Sequence, residues 1–393
     1  MSPQFEYRSL SGFEEVQQLQ RISAQCFIVS PSDNEETYFN RIGTDNFRVV
    51  QQANRIAGGL ALIPMGQWWG GQRVLMTGIA SVSVAPEFRG AGAAITLMQK
   101  MLKELQSQQV PISVLYPATQ RLYRKAGYEQ GGLYCRWEIL TETIRMKEQP
   151  LPICPVTPVE SADFQEMYLQ KAKQNNGHLD RHSFIWQELF DAKGKEPIYS
   201  YVIGSTDRPE GYVIMSQHRT HEGSILRIRD WAILSPTAGR SFWTFIAGHR
   251  SQLDKVRWQS AGIDLLSFLL PEQTAKVIKT DRWMLRIVDV GLALEKRGYP
   301  THIETELHLE IEDDLLPENS GKFVLSVANG QGNVAQGGKG DLKLDIRGLV
   351  PLYTGLFTPQ QLQLMGSLEA TETGLAIANQ LFAGSSPWLP DFF

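Results

Sequence analysis

The chain has 393 residues, more than one hydrophobic core usually sustains, so two or three domains are expected. With 42% hydrophobic and 20% charged residues it has the make-up of a globular protein, and a formal charge of −4 argues against a general nucleic-acid binder, which needs clustered Lys and Arg. Three scattered cysteines in no CxxC or Cys/His spacing argue against a disulfide framework or a metal site, and the lack of a leader pattern or an apolar run near ~20 residues favours a cytoplasmic protein with no membrane span.

In chain order, Phe13, Val16, Leu19, Ile22 and Phe27 recur at helical spacing and predict an amphipathic helix over 13–27. Strands are expected over 47–50, 56–63, 73–76 and 79–84, with Gly66, Gly70 and Gly71 as turns. Apolar residues at 94, 97, 98, 101, 102 and 105 predict a helix over 93–105. A strand over 112–116, a short helix over 120–126 and a strand over 134–139 follow. The Pro-rich stretch 149–158 reads as an extended linker.

Beyond it the pattern begins again, with helices expected over 161–173, 181–191 and 241–253. Strands are expected over 199–203, 212–216, 226–234 and 263–269. The segment WAILSPTAGR from Trp231 repeats the order strand, proline, loop, helix seen in VSVAPEFRGAG from Val82, but without its glycine spacing. It reads as a degenerate duplicate. In the last hundred residues a period of two at Leu307/Leu309/Ile311, Phe323/Leu325/Val327 and Leu342/Leu344/Ile346 predicts half-buried strands, and Thr358-Pro-Gln-Gln361 a capped helix start. The expected domains are 1–145, 150–290 and 291–393, an α/β pair followed by an α+β domain.

The chemistry concentrates between Ser81 and Ile95, in SVSVAPEFRGAGAAI. A strand ends at Ala85-Pro86, a loop crosses, and Arg89-Gly90-Ala91-Gly92-Ala93-Ala94 opens a helix. The first amides of a helix lack an intrahelical acceptor, and the helix dipole adds partial positive charge there. Gly90 and Gly92 allow the backbone to approach a pyrophosphate closely, and Arg89 adds a cation. A strand before and an amphipathic helix after set this segment apart from a glycine-rich turn that binds nothing. Further on, LYPATQRLYRKAGY from Leu115 places Tyr123 four residues before Gly127 and Tyr128.

Arg89, Gly92 and Ala94 match R-x-x-G-x-[GA], and on these residues the chain resembles the Gcn5-related N-acetyltransferase (GNAT) superfamily. The resemblance implies acetyl-CoA as cosubstrate and no metal. It places the pyrophosphate on Arg89, Gly90, Ala91, Gly92, Ala93, Ala94 and Ile95. The thioester carbonyl and pantetheine fall on Val82, Ser83 and Val84, in a strand that the family splays or bulges. The Ala118-Thr119 turn joins the cofactor contacts. Tyr123, at the family's tyrosine position, would protonate the departing coenzyme A thiolate. Reference pKa values near 8.5 for a thiol and 10 for a phenol make that transfer nearly balanced. Read without the resemblance, Tyr123 is an amphipathic core residue, and Ser81 and Ser83 simply alternate toward solvent.

Two GNAT-like domains, the second degenerate, and a sterol-carrier-like third domain are similar to the enhanced intracellular survival (Eis) acetyltransferase family. Gln67-Trp-Trp-Gly-Gly-Gln-Arg73 fits it as well. That resemblance implies N-acetylation of amines, aminoglycosides or protein lysines by a homo-oligomer, a hexamer. It also implies that the α-carboxylate of Phe393 is the base. The match departs near Val29, where an acidic substrate contact is expected. The rival reading is a non-catalytic acyl-CoA or lipid sensor, which has little need of an acid at Tyr123.

Other signals carry less. His178 and His182 are four apart, the spacing of a metal pair, but Gly177 and Asp180 favour a helix start there. Trp68 and Trp69 either line a pocket or pack a hairpin. Glu310, Glu312, Asp313 and Asp314 read as a solvated strand end.

Overall fold

A computed structural model describes residues 5–27, 35–157, 160–192, 196–205 and 207–393. Val29, where the family match departs, and Pro158 of the predicted linker lie outside them. Two compact units divide the chain: Met1–Gly132 with Arg282–Ser385 and Phe392–Phe393, and Leu133–Asp281 with Ser386–Asp391.

The first unit starts with β1 (Glu6–Ser9), α1 (Gly12–Phe27), α2 (Glu35–Ile42) and β2 (Phe47–Gln52). β3 (Arg55–Trp69) and β4 (Gln72–Val84) then form one long hairpin turning at Gly70-Gly71, both with positive φ. Gly66, expected as a turn, lies inside β3, and Trp68 and Trp69 are buried in it. Next come α3 (Ala93–Ser107), β5 (Ile112–Leu115), α4 (Gln120–Lys125) and β6 (Glu129–Leu140). The stripe predicted for α3 is its buried face: Leu97, Met98, Met101, Leu102 and Leu105 are each at most 1% exposed. Each such side chain contributes about 1.5–3 kcal/mol when fully buried, which outweighs the weak propensity terms and fixes the helix on the sheet.

The second unit contains β7 (Ile153–Pro155), α5 (Ala162–Lys173), β8 (Leu179–Asp180), α6 (Ser183–Phe190), β9 (Ile198–Ser205), β10 (Arg208–Thr220) and β11 (Gly223–Ile233). It continues with α7 (Pro236–Ala247), β12 (Lys255–Ser260), the helical turn α8 (Leu265–Phe268) and β13 (Lys276–Ile287), whose last residues return to the first unit. Three expectations need correcting. The predicted linker contains β7, an edge strand paired with β9, and its proline stands at the strand end where no ladder bond is lost. The helix expected over 241–253 starts earlier, because Ser235 caps it and Pro236 takes the first helical position. The strand expected over 263–269 is instead α8, nucleated by Asp264, whose side chain accepts from Ser267 N at 2.7 Å. His182 caps α6 and accepts from Phe184 N, as its neighbours suggested, and no metal-holding group of His, Cys, Asp and Glu occurs among the described residues.

Inside this unit Arg181 is buried between Asp230 (2.5 Å) and Asp391 (2.8 Å), and Trp388 packs edge-on against His178. Residues Ser386–Asp391 are therefore docked rather than frayed. Removing one member of such a buried pair typically costs about 3–5 kcal/mol, because the other charge is left stranded.

The first unit is completed by α9 (Val290–Lys296), β14 (Thr305–Glu312), β15 (Gly321–Ala328), β16 (Gln331–Gln336), β17 (Leu342–Asp345), α10 (Ile346–Thr354), α11 (Pro359–Leu364), β18 (Glu369–Ala370) and α12 (Glu372–Leu381). Its sheet runs β16-β15-β14-β17-β18, and the alternating residues predicted for β14 and β15 face its core. The capping box at Thr358 and Gln361 forms in both directions. Asp313 departs from the expected solvated strand end. It is buried, pairs with Arg286 at 2.6 Å, and accepts from Leu315 N, Leu316 N and Asn319.

Candidate active site

The site is built where β4 and β5 part. Their parallel pairing runs only from Met76↔Ile112 to Ile79↔Leu115, so Ala80–Val84 continue with no partner in β5. On the other side, Ala61 pairs with Ala80 but Gly59 pairs with Ser83, so β4 carries one extra residue. The bulge falls at Ser81, whose φ of 52° is uncommon for a residue with a Cβ. Ser81 Oγ donates to Tyr38 Oη at 2.8 Å, and Ser83 is buried with its Oγ 3.4 Å from Ser23 Oγ. Neither serine merely alternates toward solvent. Val82 packs against the core, and Val84 O accepts from Cys26 Sγ at 3.4 Å.

Past β4, a 3-10 turn at Pro86–Phe88 leads to Arg89, which is exposed with Nη2 3.6 Å from Cys26 Sγ. Gly90 and Gly92 have φ of 79° and 94°, and nothing lies within 4 Å of where a side chain would begin at either. Gly92 is the N-cap of α3 and supplies no side-chain cap. Ala91 joins the loop, and Ala93, Ala94 and Ile95 form the first turn, whose amides have no acceptor within the helix. The result is open space beside Gly90 and Gly92, with free backbone donors at the positive end of a helix.

Tyr123 lies on the six-residue α4, after the exposed Ala118 and the N-cap Thr119. Its ring is 5% exposed and meets Tyr128 edge-on at 6.1 Å. Its hydroxyl has no hydrogen-bond partner among the described residues, and burial pushes its pKa up to about 12. Tyr128, in contrast, is committed to the core by Ser113 Oγ at 2.7 Å. Gly127 has φ of 83°, and a side chain there would strike Arg286 at 2.8 Å, so this motif glycine is structural.

Phe393 completes the fork. Its ring lies so close over Gly78 that a β-carbon there would fall 2.6 Å from it. It also meets Tyr116, just past β5, at a centroid distance of 6.0 Å, and Phe392 meets the same ring at 4.5 Å. Gly78 pairs with Val114, one pair before the end of the β4–β5 ladder, so Phe393 sits beside the opening. Tyr38 and Tyr116 are site neighbours that sequence reasoning missed. Only Tyr116 left a signal, an aromatic residue at the end of a predicted strand.

The corresponding turn in the second unit is closed. Ser235 caps α7 by accepting from Ala238 N at 3.0 Å, and its hydroxyl donates to a Glu210 carboxylate oxygen at 2.5 Å. The cap takes up one of the helix-start amides, and a carboxylate beside it disfavours an anion there.

Known proteins carry the same arrangement. The Acetyltransferase (GNAT) domain family matches residues 6–131, a second family of that description matches residues 177–287, and the Sterol carrier protein domain family matches residues 290–390. A solved GCN5-related N-acetyltransferase from Anabaena variabilis is 58% identical with a TM-score of 0.97, over 99% of this chain and 100% of that one. An uncharacterized N-acetyltransferase of Streptomyces griseus is 27% identical over 82% of this chain and 83% of its own length. The N-acetyltransferase Eis of Mycobacterium tuberculosis is 23% identical over 78% and 77%. A chain this similar over its whole length, with two GNAT domains ahead of a sterol-carrier-like domain, belongs to the GCN5-related N-acetyltransferases and is an Eis-like acetyltransferase of that family.

Proposed function

We propose that the chain transfers acetyl from acetyl-CoA to a primary amine, of an aminoglycoside-like polyamine or a lysine side chain, by direct attack. The amine nitrogen adds to the thioester carbonyl carbon, the C–S bond breaks, and no covalent enzyme intermediate forms. Catalysis is assigned to residues 1–145, with 150–290 as the degenerate duplicate and 291–393 as the sterol-carrier-like domain. The free backbone edge of Val82, Ser83 and Val84 holds the carbonyl and pantetheine. Arg89, Gly90, Ala91, Gly92, Ala93, Ala94 and Ile95 hold the pyrophosphate, and Ala118 and Thr119 border the coenzyme. No metal is needed, since backbone donors polarise the carbonyl.

One observation carries this reading. The unpaired β4 edge, the uncapped glycine-rich start of α3 and an unbonded Tyr123 hydroxyl all belong to the first GNAT domain. The second domain has its helix start capped by Ser235, with Glu210 beside it. Calorimetric titration with coenzyme A is therefore expected to give one site per chain. Gly92→Glu should abolish it, because the change forces a side chain into φ 94° and puts a negative charge against pyrophosphate. Two equivalent sites, or unchanged binding by Gly92→Glu, would contradict the assignment.

A homo-oligomer, a hexamer, is proposed from the likeness to the Eis family. Light scattering at micromolar concentration should give a multiple of the 44.2 kDa chain mass; a monomer would refute it.

A further inference from the structure

The second unit presents two unlike sheet faces. On β6, β12, β11 and β10 one set of alternate residues, including Ile139, Trp258, Leu226 and Val213, builds the core beneath α7. The other set is polar and cationic. Strand register puts Arg227 directly opposite Arg257, Arg136 opposite Gln259, and His218 opposite Ile225. These residues and Thr220 surround a cavity of about 180 Å³. No carboxylate lines it.

The charges are not balanced. Arg257 is held by Glu138 at 2.8 Å and Glu222 at 2.5 Å, and His218 lies 3.1 Å from Glu196. Arg136 and Arg227 pair with no carboxylate among the described residues. The field of Arg227 reaches the next residue on its face, Arg229, whose guanidinium is pushed down first by burial and then by Arg227. Like charges side by side on neighbouring strands are destabilising, so stability alone does not favour this arrangement. Forked guanidinium donors match an oxyanion, and the volume equals that of about six liquid waters, enough for a phosphate or citrate but not a coenzyme.

We propose that this pocket in the second GNAT domain is a binding site for a small, multiply charged oxyanion, held by Arg136, Arg227 and Arg257 with Gln259 as a further hydrogen-bonding group. It is a separate site from the acetyl-transfer fork, and its residues take no part in that chemistry.

The test is calorimetry on the full chain at constant ionic strength, with coenzyme A in excess. Inorganic phosphate, pyrophosphate and citrate are the probes, and sodium chloride is the blank. Saturable binding of one anion per chain is expected. The preferred probe separates a phosphoryl ligand from a carboxylate ligand. Arg227→Gln and Arg136→Gln should each weaken binding more than tenfold, Arg227→Lys less. Arg219→Gln, on the same sheet but outside the pocket, should stay within twofold. Melting curves report whether each variant is folded, and acetyl transfer should be unchanged in all. A linear response matching the chloride blank, or equal affinity in Arg227→Gln, would overturn the proposal. So would loss of assembly mass in the Arg variants without any anion binding, which would make this face a contact between protein chains.

Discussion

Extending the chain by a few residues past Phe393 is expected to lower kcat by ~10²–10⁴, the usual contribution of a positioned acid or base, while coenzyme A still binds. The Phe393 ring is fixed over Gly78 and against Tyr116 at the mouth of the β4–β5 fork. Whatever its α-carboxyl does, it does beside the place proposed for the thioester. An α-carboxylate has a reference pKa near 3.5, roughly 7 below that of a lysine ammonium, so it lies about 9 kcal/mol from stripping a free ammonium. The role proposed for it comes later. Once the nitrogen has bonded to the carbonyl carbon it becomes far more acidic, and a fixed carboxylate can take its proton. Before that, the same charge attracts and orients a cationic acceptor. An extension converts the carboxylate to a neutral amide and removes both effects, whereas an N-terminal tag does neither. Phe393→Ala keeps the charge and loses the ring's packing, so it should be the less damaged variant. If the extended protein turns over as fast as the tagged control, the carboxylate has no catalytic role. Greater damage in Phe393→Ala would assign the effect to the ring.

Tyr123→Phe is expected to lower kcat by ~10²–10⁴ as well, with acetyl-CoA affinity nearly unchanged. From reference values the transfer of a proton from phenol to thiolate looks nearly balanced. The structure changes that balance, since burial raises Tyr123 to about 12. Against a free thiolate near 8.5 the phenol now holds its proton by about 5 kcal/mol. In the proposed reaction Tyr123 would therefore act first as a hydrogen-bond donor to the charge developing on sulfur, and give up its proton late. A thiolate leaving into the same dry fork is itself more basic than in water, which restores part of the balance. Phenylalanine keeps the edge-on contact with Tyr128 and removes only the hydroxyl, so stability should hardly move. A variant with wild-type kcat would return Tyr123 to a packing role.

Much of this was legible in the order of residues. The periodicity of α3, β14 and β15 reports burial directly, because one face of each packs on a core; of the stripe predicted for α1 only Leu19 and Ile22 are buried, while Phe13 and Phe27 are exposed. The segment around Arg89 is legible because helix-start donors and glycines at φ near 80–90° are local properties. The bulge at Ser81 is not local: it exists only through the register with β3, which no residue type announces. Glu210 beside Ser235 is brought there by strand pairing across 25 positions, so degeneracy showed as missing glycines while the carboxylate beside the helix start did not. Apolar residues over 263–269 fit a strand or a helix equally, and the Asp264 cap decided it. Asp313 looked like one of four solvated acids until Arg286 arrived from another strand.

The most direct measurement is release of free thiol from acetyl-CoA, with and without a panel containing an aminoglycoside, a polyamine and a lysine peptide. Thiol release that depends on the amine, matched mole for mole by acetylated amine in the mass spectrum, is the predicted result. Tight coenzyme A binding with no amine-dependent thiol from any acceptor class would contradict it, and would leave the fork as an acyl-CoA sensor.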